Sequence, residues 1–441
     1  MGGLTGKTIA IDVTPILPGG ENGGAKHFVL ELSRGLAEAV PGADFILLTH
    51  EVSHEELATL ERPNMRRVLA IGAPASGDDP KPAAPRKARR LRSWYETCYP
   101  RLPGIARRGV ARLAYEGNAW VKRRRARGMP GQVGADVLFC PFTAPTFHEP
   151  GIPTVCTVYD LQFAAYPQFF DDADFAYRRS VLLDAASKAT RLAAISNFSR
   201  EATIAYTGIE PGRIETAYLR MSGRIIRPNG GEAELLARFG LLPQGFLIYP
   251  ANFWRHKQHE MLLTAFGMAC RNGLPPQVKL VLTGAPGARR DFIERAARAM
   301  GLGERVVFPG YISDDELAML LGQARGLVFP SLYEGFGLPV LEAMAADVPV
   351  ACSGSTALAE VASDAALLFD PRRPDDIAKA ILSLASDHGL RQDLLARGRS
   401  RALEFSNTDG MIADYRRILA QAINSDGACD ARGPVKARTP G

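Results

Sequence analysis

The sequence predicts an α/β protein with two halves, each built on a doubly wound parallel sheet. Short apolar runs of strand length alternate with amphipathic helical patterns almost throughout the chain, as is typical of parallel sheets covered by helices. A chain of 441 residues is too long for one compact core, so two domains of roughly 200 residues each are expected. The alternation breaks at 221–231, where glycine, proline and polar residues predict a boundary.

The first half begins directly in a strand and continues with five further runs of strand character. The helical pattern KHFVLELSRGLAEAV follows the first strand. The predicted strands are KTIAIDV, DFILLTH, RRVLAIG, DVLFCPF, PTVCTVYD and RLAAIS.

The second half repeats the alternation more regularly. A helix candidate follows each run, and Ser313 with Glu316 predicts a capping box before DDELAMLLGQA. The predicted strands are FLIYPAN, KLVLTGA, RVVFPGY, GLVFPS, PVACSG and ALLFDP. The pattern as a whole predicts two Rossmann-like domains.

Composition narrows the class of protein. A hydrophobic content of 46% and a charged content of 23% are those of an ordinary globular protein. The six cysteines lack CxxC or Cys/His spacing, so they are expected to be buried thiols in a reducing compartment. No charged leader and no uncharged stretch of membrane-spanning length is evident, which argues against secretion and membrane insertion and favours a cytoplasmic location.

The stretch 326–350, GLVFPSLYEGFGLPVLEAMAADVPV, joins a strand-like run, an acidic loop flanked by glycines and a helix. Its apolar beginning has the length of a strand buried on both faces, and Pro339 suits the first turn of the helix that follows. Glu334 then lies on the loop at the carboxyl end of the strand, while Glu342 falls near the first turn of the helix. Two carboxylates in these places can address different parts of one ligand.

The loop between these carboxylates suits a bound phosphate or sugar. Gly335 and Gly337 let the backbone approach a ligand closely. Backbone amides at a helix start favour a phosphate or a polarised hydroxyl, and here they belong to Phe336, Gly337 and Leu338. The stretch therefore predicts a sugar-nucleotide site, and the alternative is an ordinary strand-to-helix turn with two solvated glutamates.

The string EGFGLPVLE resembles the Glu-x7-Glu signature of retaining GT-B glycosyltransferases of family 4, or group 1, which includes mannosyl- and glucosyltransferases and sucrose synthase. Similar segments extend over most of the chain: IDVTPILPGGENGGAKHFVLEL, VCTVYDLQFAAYPQFF, AAISNFSREA, YPANFWRHKQHEMLL, VVFPGYISDDELAMLL and TALAEVASDAALLFDP. The resemblance implies a GT-B fold, in which two Rossmann-like domains face each other across a cleft. It also implies sugar transfer from a nucleoside diphosphate donor, with no metal and no cofactor.

On this resemblance the N-terminal domain covers 1–228 and forms the acceptor side, with a basic insertion at 81–127. The C-terminal domain covers 229–407 and binds the nucleotide sugar. A helix over 408–424 is expected to cross back onto the first domain. Residues 425–441 are rich in glycine, proline, alanine and charge, and are predicted to be a disordered tail.

YPANFWRHKQHE places basic residues where the first strand of the second half gives way to its first helix. A diphosphate bound there would meet both fixed amides and cations. The resemblance makes Lys257 and Arg255 the diphosphate-binding residues. Many relatives have an arginine five residues before this lysine, where this chain has Asn252, so the number of cations stays open. The alternative is a solvated helix start.

PGGENGGAK, at 18–26, is a glycine-rich loop after the first strand. It lacks the spacing of a dinucleotide fingerprint, and by itself it predicts only a flexible loop. By resemblance, Gly23 and Gly24 would lie over the donor phosphates as the domains come together.

Three further positions, each following a predicted strand, are candidates. Many relatives have His-Asp where this chain has Tyr159 and Asp160; a tyrosine cannot act as a near-neutral base, so its role stays open. Asp160 is a candidate to bind a sugar or acceptor hydroxyl, and the alternative for the pair is a buried tyrosine and a helix-capping aspartate. Glu360, with Ser353 and Ser355 before it, is a candidate to face the donor, and the alternative is a capped surface helix.

Lys81–Arg127 carries most of the positive charge of the chain. It contains 15 basic and two acidic residues, a net +13 against +6 for the whole chain, so the remainder is net −7. Aromatic and aliphatic residues interleave with these charges, which favours an anionic membrane surface or a phosphorylated lipid acceptor. No RNA-binding motif accompanies them, and no nucleic-acid partner is expected. A solvated insertion is the alternative.

The sequence thus predicts a retaining hexosyltransferase that moves a sugar, with GDP-mannose slightly preferred as donor, to a hydroxyl of a sugar or lipid-linked sugar. Polysaccharide, lipopolysaccharide or glycolipid synthesis on the inner face of the membrane fits this interpretation. The alternatives are another GT-B enzyme, such as a sugar-nucleotide epimerase or a phosphorylase, and a non-catalytic nucleotide-sugar-binding scaffold.

Overall fold

The computed structural model describes residues 3–18, 23–72, 128–220 and 230–425. Contacts divide the chain into two units: unit 1 takes Met1–Ile195, Ser199–Tyr218 and Asp409–Gly441, and unit 2 takes Ser196–Phe198 and Leu219–Thr408. The basic segment, most of the predicted boundary at 221–231, the centre of the glycine-rich loop and nearly all of the predicted tail lie outside the described residues.

Each unit contains one parallel sheet whose strands are largely buried. The strands are β1 (Thr8–Asp12), β2 (Asp44–His50), β3 (Met65–Ile71), β4 (Val137–Cys140), β5 (Thr154–Val158), β6 (Arg191–Ala194) and β7 (Ile214–Thr216) in unit 1, and β8 (Phe246–Pro250), β9 (Lys279–Thr283), β10 (Val306–Gly310), β11 (Gly326–Phe329), β12 (Val350–Ser353) and β13 (Leu367–Phe369) in unit 2. Their apolar, non-alternating sequences suit sheets covered on both faces.

Helices connect the strands. They are α1 (Gly23–Ala39), α2 (Met129–Gln132), α3 (Gln162–Ala165), α4 (Asp172–Lys188), α5 (Asn197–Thr207), α6 (Glu232–Arg238), α7 (His259–Arg271), α8 (Ala288–Ala299), α9 (Asp314–Gln323), α10 (Leu338–Ala345), α11 (Thr356–Ala362), α12 (Pro374–Ser386), α13 (His388–Ser406) and α14 (Asp409–Asn424). Short 3₁₀ turns lie at Glu56–Leu60, Pro167–Phe169, Pro211–Arg213, Arg255–Lys257 and Ser363–Ala365.

The strand order is that of doubly wound sheets. Unit 1 has the order β3-β2-β1-β4-β5-β6-β7, and unit 2 has β10-β9-β8-β11-β12-β13. In unit 2 the chain builds outward from β8 in one direction to β10, and then returns to pair β11 with the other side of β8. The carboxyl ends of β8 and β11 therefore flank the point at which the strand order reverses.

The predicted strands are all present, and the structure adds one. β7 was not predicted because Ile214–Thr216 has only three residues and a single apolar side chain. The capping box before α9 is confirmed, since the Ser313 hydroxyl accepts the Glu316 N–H and the Glu316 carboxylate accepts the Ser313 N–H.

The last helix completes the core of unit 1. α14 packs against α1 and against strands β4, β5 and β6. Its Tyr415 is fully buried, packs on Phe28 and Phe139, and shares a hydrogen bond of 3.0 Å with the hydroxyl of Thr157.

Candidate functional site

The candidate site in unit 2 lies at the reversal of the strand order. In open α/β sheets a crevice forms outside the carboxyl ends of the two strands at this point, and ligands bind there. Here those strands are β8 and β11, which are neighbours in the sheet. The loop after β8 carries Lys257 and the loop after β11 carries Glu334, so the topology brings together two residues that lie far apart in the sequence.

Lys257 and Glu334 form an ion pair. The Lys257 Nζ lies 2.6 Å from the Glu334 Oε1, and the two side chains are only 12% and 15% exposed. The ammonium group also lies 5.2 Å from the ring centre of Phe329, the last residue of β11. In this largely buried place each charge compensates the other, and removal of one would leave its partner poorly solvated.

The backbone around Lys257 is fixed by contacts to buried residues. The Tyr249 hydroxyl donates to the Lys257 carbonyl at 2.9 Å, and the Leu332 N–H donates to the His256 carbonyl at 2.8 Å. Burial, and then the charge of Glu334, raise the pKa of Tyr249 well above its usual value, so the hydroxyl remains a donor. Tyr249 was not predicted, since in the sequence it is only one more apolar residue of the strand FLIYPAN.

His259 is another neighbour of the pair that the sequence analysis missed. Its ring lies between those of Tyr249 and Phe253, with centroids 4.9 and 4.6 Å away, and it is 1% exposed. Burial, and next the positive charge of Lys257, lower the pKa of His259 to about 3. The imidazole is therefore neutral at neutral pH, and it adds no cation to the site.

The other predicted donor residues after β8 are exposed. Asn252 holds the loop after β9, because its Oδ1 accepts the Ala285 N–H at 3.0 Å. Arg255 is exposed and forms no ion pair within the described residues, so its guanidinium group is available to an anion. Their roles toward a donor stay predictions.

The loop after β11 turns at Gly337 into α10. Gly337 has a φ of +117°, which favours glycine, and a Cβ there would lie 2.5 Å from the Leu358 Cδ2, so the buried Leu358 methyl group would have to shift. α10 then begins at Leu338 with Pro339 in its first turn, as predicted. Glu342 is the fifth residue of this helix, one position beyond the first turn.

The Gly337→Ala variant is expected to lower the free energy of unfolding by about 2 to 4 kcal/mol, because it combines an unfavourable φ with a steric clash. Gly273→Ala is the matched control, since Gly273 also has a positive φ, +94°, but nothing lies within 4 Å of its added Cβ. Urea unfolding of both variants measures the difference. An equal loss of stability in the two would contradict the packing argument.

Phe336 connects this loop to α13. It is 3% exposed, and its ring meets that of Phe405 at 5.7 Å in an edge-to-face arrangement. The guanidinium of Arg401 lies 4.8 Å from the Phe405 ring centre, and its Nε and Nη2 donate to the carbonyls of Val361 and Glu360 at 2.8 Å each. α13 thus supports both the loop after β11 and the end of α11.

The carboxylate of Glu360 contacts the amino end of α5. Its two oxygens accept the N–H groups of Asn197 and Phe198 at 2.9 Å each, and these residues group with unit 2. Ser353 and Ser355 share a hydrogen bond of 2.7 Å with each other. The hydrogen bonds of Glu360 thus place its carboxylate against the start of α5, and its role toward the donor remains a prediction.

In unit 1, Tyr159 and Asp160 make structural contacts at the carboxyl end of β5. The Tyr159 hydroxyl donates to the Pro141 carbonyl at 2.9 Å, and burial raises its pKa well above the usual value. Asp160 accepts the N–H of Gln162, the first residue of α3, at 3.0 Å, but the N-cap residue of that helix is Leu161. The contact of the Tyr159 hydroxyl fits the alternative of a buried tyrosine, and a role for Asp160 toward a hydroxyl stays a prediction.

The described part of the glycine-rich loop ends in α1, which begins at Gly23 and continues through Gly24. Lys26 was not predicted. Its buried Nζ donates to the Leu17 carbonyl at 3.0 Å and to the Glu56 carboxylate at 2.5 Å. This lysine therefore ties together the two described ends of the loop.

Over 3–18, 23–72, 128–220 and 230–425, no three His, Cys, Asp or Glu side chains cluster in a way that could hold a metal ion. None of the described helices is both long enough and apolar enough to cross a bilayer.

Comparison with known sequences points to sugar transfer. A family model described as glycosyl transferases group 1 matches residues 239–401. The O-antigen chain mannosyltransferase B of Escherichia coli is 32% identical over 276 residues, which cover 62% of this chain and 69% of that protein. The serotype-specific mannosyltransferase WbdA of Escherichia coli is 27% identical over 281 residues, 62% of this chain but only 34% of WbdA.

Comparison with solved structures concerns the fold. The sucrose-phosphate synthase from Thermosynechococcus elongatus matches with a TM-score of 0.66 at 20% identity, over 95% of this chain and 100% of that chain. The predicted GT-B fold is confirmed by this likeness together with the two Rossmann-like units.

Proposed function

The chain belongs to the group 1 glycosyltransferases, and on that basis we propose that it transfers mannose from GDP-mannose to an acceptor hydroxyl with retention of configuration. The observation that carries the proposal is the Lys257–Glu334 ion pair at the point where the strand order of unit 2 reverses. It joins a cation for the diphosphate to a carboxylate for the sugar.

Lys257 binds the donor diphosphate and stabilises the charge that grows on it as the sugar departs. An ammonium group has three N–H donors, so Lys257 can contact a phosphate oxygen while it still contacts Glu334. Arg255, which is exposed on the same turn, supplies a second cation. A well-placed donor of this kind contributes several kcal/mol to stabilising a developing negative charge.

Glu334 accepts hydrogen bonds from hydroxyls of the transferred sugar. Its carboxylate also stabilises positive charge on the sugar ring, since glycosyl transfer passes through an oxocarbenium-like state. The amides of Phe336, Gly337 and Leu338 contact the sugar or its phosphate, and Glu342 binds the ribose. The acceptor then attacks on the face that the diphosphate leaves.

The relatives favour mannose as the transferred sugar, because both E. coli proteins are mannosyltransferases. The name of the first also favours a polysaccharide or lipid-linked acceptor. We propose a cytoplasmic enzyme at the inner face of a membrane. Its basic segment 81–127, with a net charge of +13, would contact anionic lipid.

A screen of nucleotide sugars for thermal stabilisation tests the donor. GDP-mannose at 100 times its Kd is expected to stabilise the folded protein by about 2.7 kcal/mol, because a ligand that binds only the folded state adds to its stability. NMR of the mannoside formed should show the α-anomeric configuration of the donor. Stabilisation by a UDP- or ADP-sugar alone would contradict the choice of donor, and a β-linked product would contradict retention.

A further inference from the structure

Thr356, the first residue of α11, has a backbone conformation that threonine avoids. Its φ is +58°, in the left-handed region where a β-branched side chain is strained. Six non-glycine residues have a positive φ in the described part of the chain, and only Thr143 and Thr356 among them are β-branched. Glycine would adopt this φ without strain, so the conformation alone does not account for a threonine.

The side chain of Thr356 contacts the candidate site. Its Oγ1 accepts the backbone N–H of Glu334 at 3.2 Å. This contact is possible because β11 and β12 are neighbours, so the residues that follow their carboxyl ends lie side by side. The hydroxyl of a residue after β12 thus holds the backbone of the carboxylate residue after β11.

Glu334 is consequently held at two points. Lys257 holds its carboxylate at 2.6 Å, and Thr356 holds its backbone N–H. A third contact fixes the segment just before Glu334, since the Leu332 N–H donates to the carbonyl of His256 at 2.8 Å. Residues kept in unfavourable conformations by their surroundings occur preferentially at functional sites.

We propose that Thr356 is a positioning residue, whose hydroxyl fixes the Glu334 backbone so that the Glu334 carboxylate is correctly placed for the donor sugar. The inference deepens the proposed function and rests on it. A side chain shorter than threonine that keeps the hydroxyl should serve as well, whereas removal of the hydroxyl should leave the carboxylate free to shift. A displacement of about 1 Å can lower the rate of an enzyme by about 100-fold.

If Thr356 has a purely structural role, its substitution should change stability and activity together. If it is a positioning residue, loss of its hydroxyl should lower activity without lowering stability. Thr356→Gly relieves the strained φ but removes the acceptor of the Glu334 N–H. It is expected to unfold at a temperature equal to or above that of the wild type, with kcat for mannose transfer lowered about 10- to 100-fold. Thr356→Ser keeps the hydroxyl, and its kcat is expected within about twofold of the wild type.

Asp347→Gly is the matched control. Thr356 follows the carboxyl end of β12, whereas Asp347 precedes the amino end of β12, at the opposite edge of the sheet. Asp347 has a φ of +59°, and it follows the end of α10, where glycine is the favoured residue. Its side chain forms an exposed ion pair with Arg399. This variant is expected to raise the melting temperature while kcat stays unchanged.

The decisive measurements do not depend on the substrate. Hydrogen exchange of the Glu334 amide, followed by NMR without ligand, is expected to be faster in Thr356→Gly than in the wild type, and unchanged in Thr356→Ser. Equal exchange in Thr356→Gly, wild-type kcat in that variant, or an equal loss of kcat in folded Thr356→Ser would overturn the proposal. If the wild type transfers no sugar, the proposed function fails, and the exchange result alone decides whether Thr356 holds Glu334.

Discussion

Replacing Lys257 with alanine is expected to lower kcat/KM for mannose transfer by about 10³-fold, because the developing charge on the diphosphate loses its buried cation. The effect should exceed that of an ordinary surface cation, since the side chain is only 12% exposed and the surrounding protein screens charge less than water does. Steady-state kinetics with GDP-mannose, together with circular dichroism to verify the fold, provide the measurement.

Lys279→Ala is the control for this variant. Lys279 lies in the same unit at the amino end of β9, the opposite edge of the sheet, and its Nζ donates to the Gly240 carbonyl. Its replacement is expected to leave kcat/KM within about twofold of the wild type, since surface substitutions away from a site have small effects. Folded Lys257→Ala with wild-type kcat/KM would remove Lys257 from the mechanism.

The Glu334→Gln variant is expected to lower kcat by about 100-fold while the KM for the donor changes less. Glutamine keeps the shape and much of the hydrogen bonding of the carboxylate, but it cannot stabilise the positive charge that arises on the sugar in the transition state. Glu234→Gln is the control, because Glu234 is exposed on α6 of the same unit. A rise in KM with unchanged kcat would show that Glu334 serves only in binding.

The contribution of the Lys257–Glu334 ion pair to the stability of the protein can be measured without substrate. Lys257→Ala or Glu334→Ala alone is expected to cost about 3 to 5 kcal/mol of unfolding free energy, because each leaves one charge uncompensated in a largely buried place. The double variant is expected to cost less than the sum of the two single variants. Additive losses in urea unfolding would mean that the two charges do not compensate each other in the folded protein.

The alternation of apolar runs and helical patterns predicted twelve of the strands, because strands buried on both faces need nearly continuous apolar sequence. It did not predict β7, since three residues with one apolar side chain give no detectable period. The predicted role of Gly337 in close approach of a ligand stays a prediction, and the structure adds that a Cβ there would meet Leu358. Motif reasoning thus identified the residue without the packing around it.

The candidate site was predicted as residues that bind one donor, but the direct contact between Lys257 and Glu334 was not predicted. Lys257 and Glu334 are 77 positions apart and belong to different motifs, and only the pairing of β11 with β8 brings them into contact. The left-handed conformation of Thr356 has no signal in the sequence, because threonine does not favour it. Such conformations are imposed by tertiary contacts between distant segments, which cannot be predicted from the neighbouring residues in the sequence.

The most direct test of the central claim is a crystal structure of the protein with GDP-mannose. We expect the diphosphate at the carboxyl ends of β8 and β11, with the Lys257 Nζ within about 3 Å of a phosphate oxygen. We also expect a hydroxyl of the mannose within hydrogen-bonding distance of the Glu334 carboxylate. A donor bound elsewhere in the protein, with the Lys257–Glu334 pair untouched, would contradict the claim.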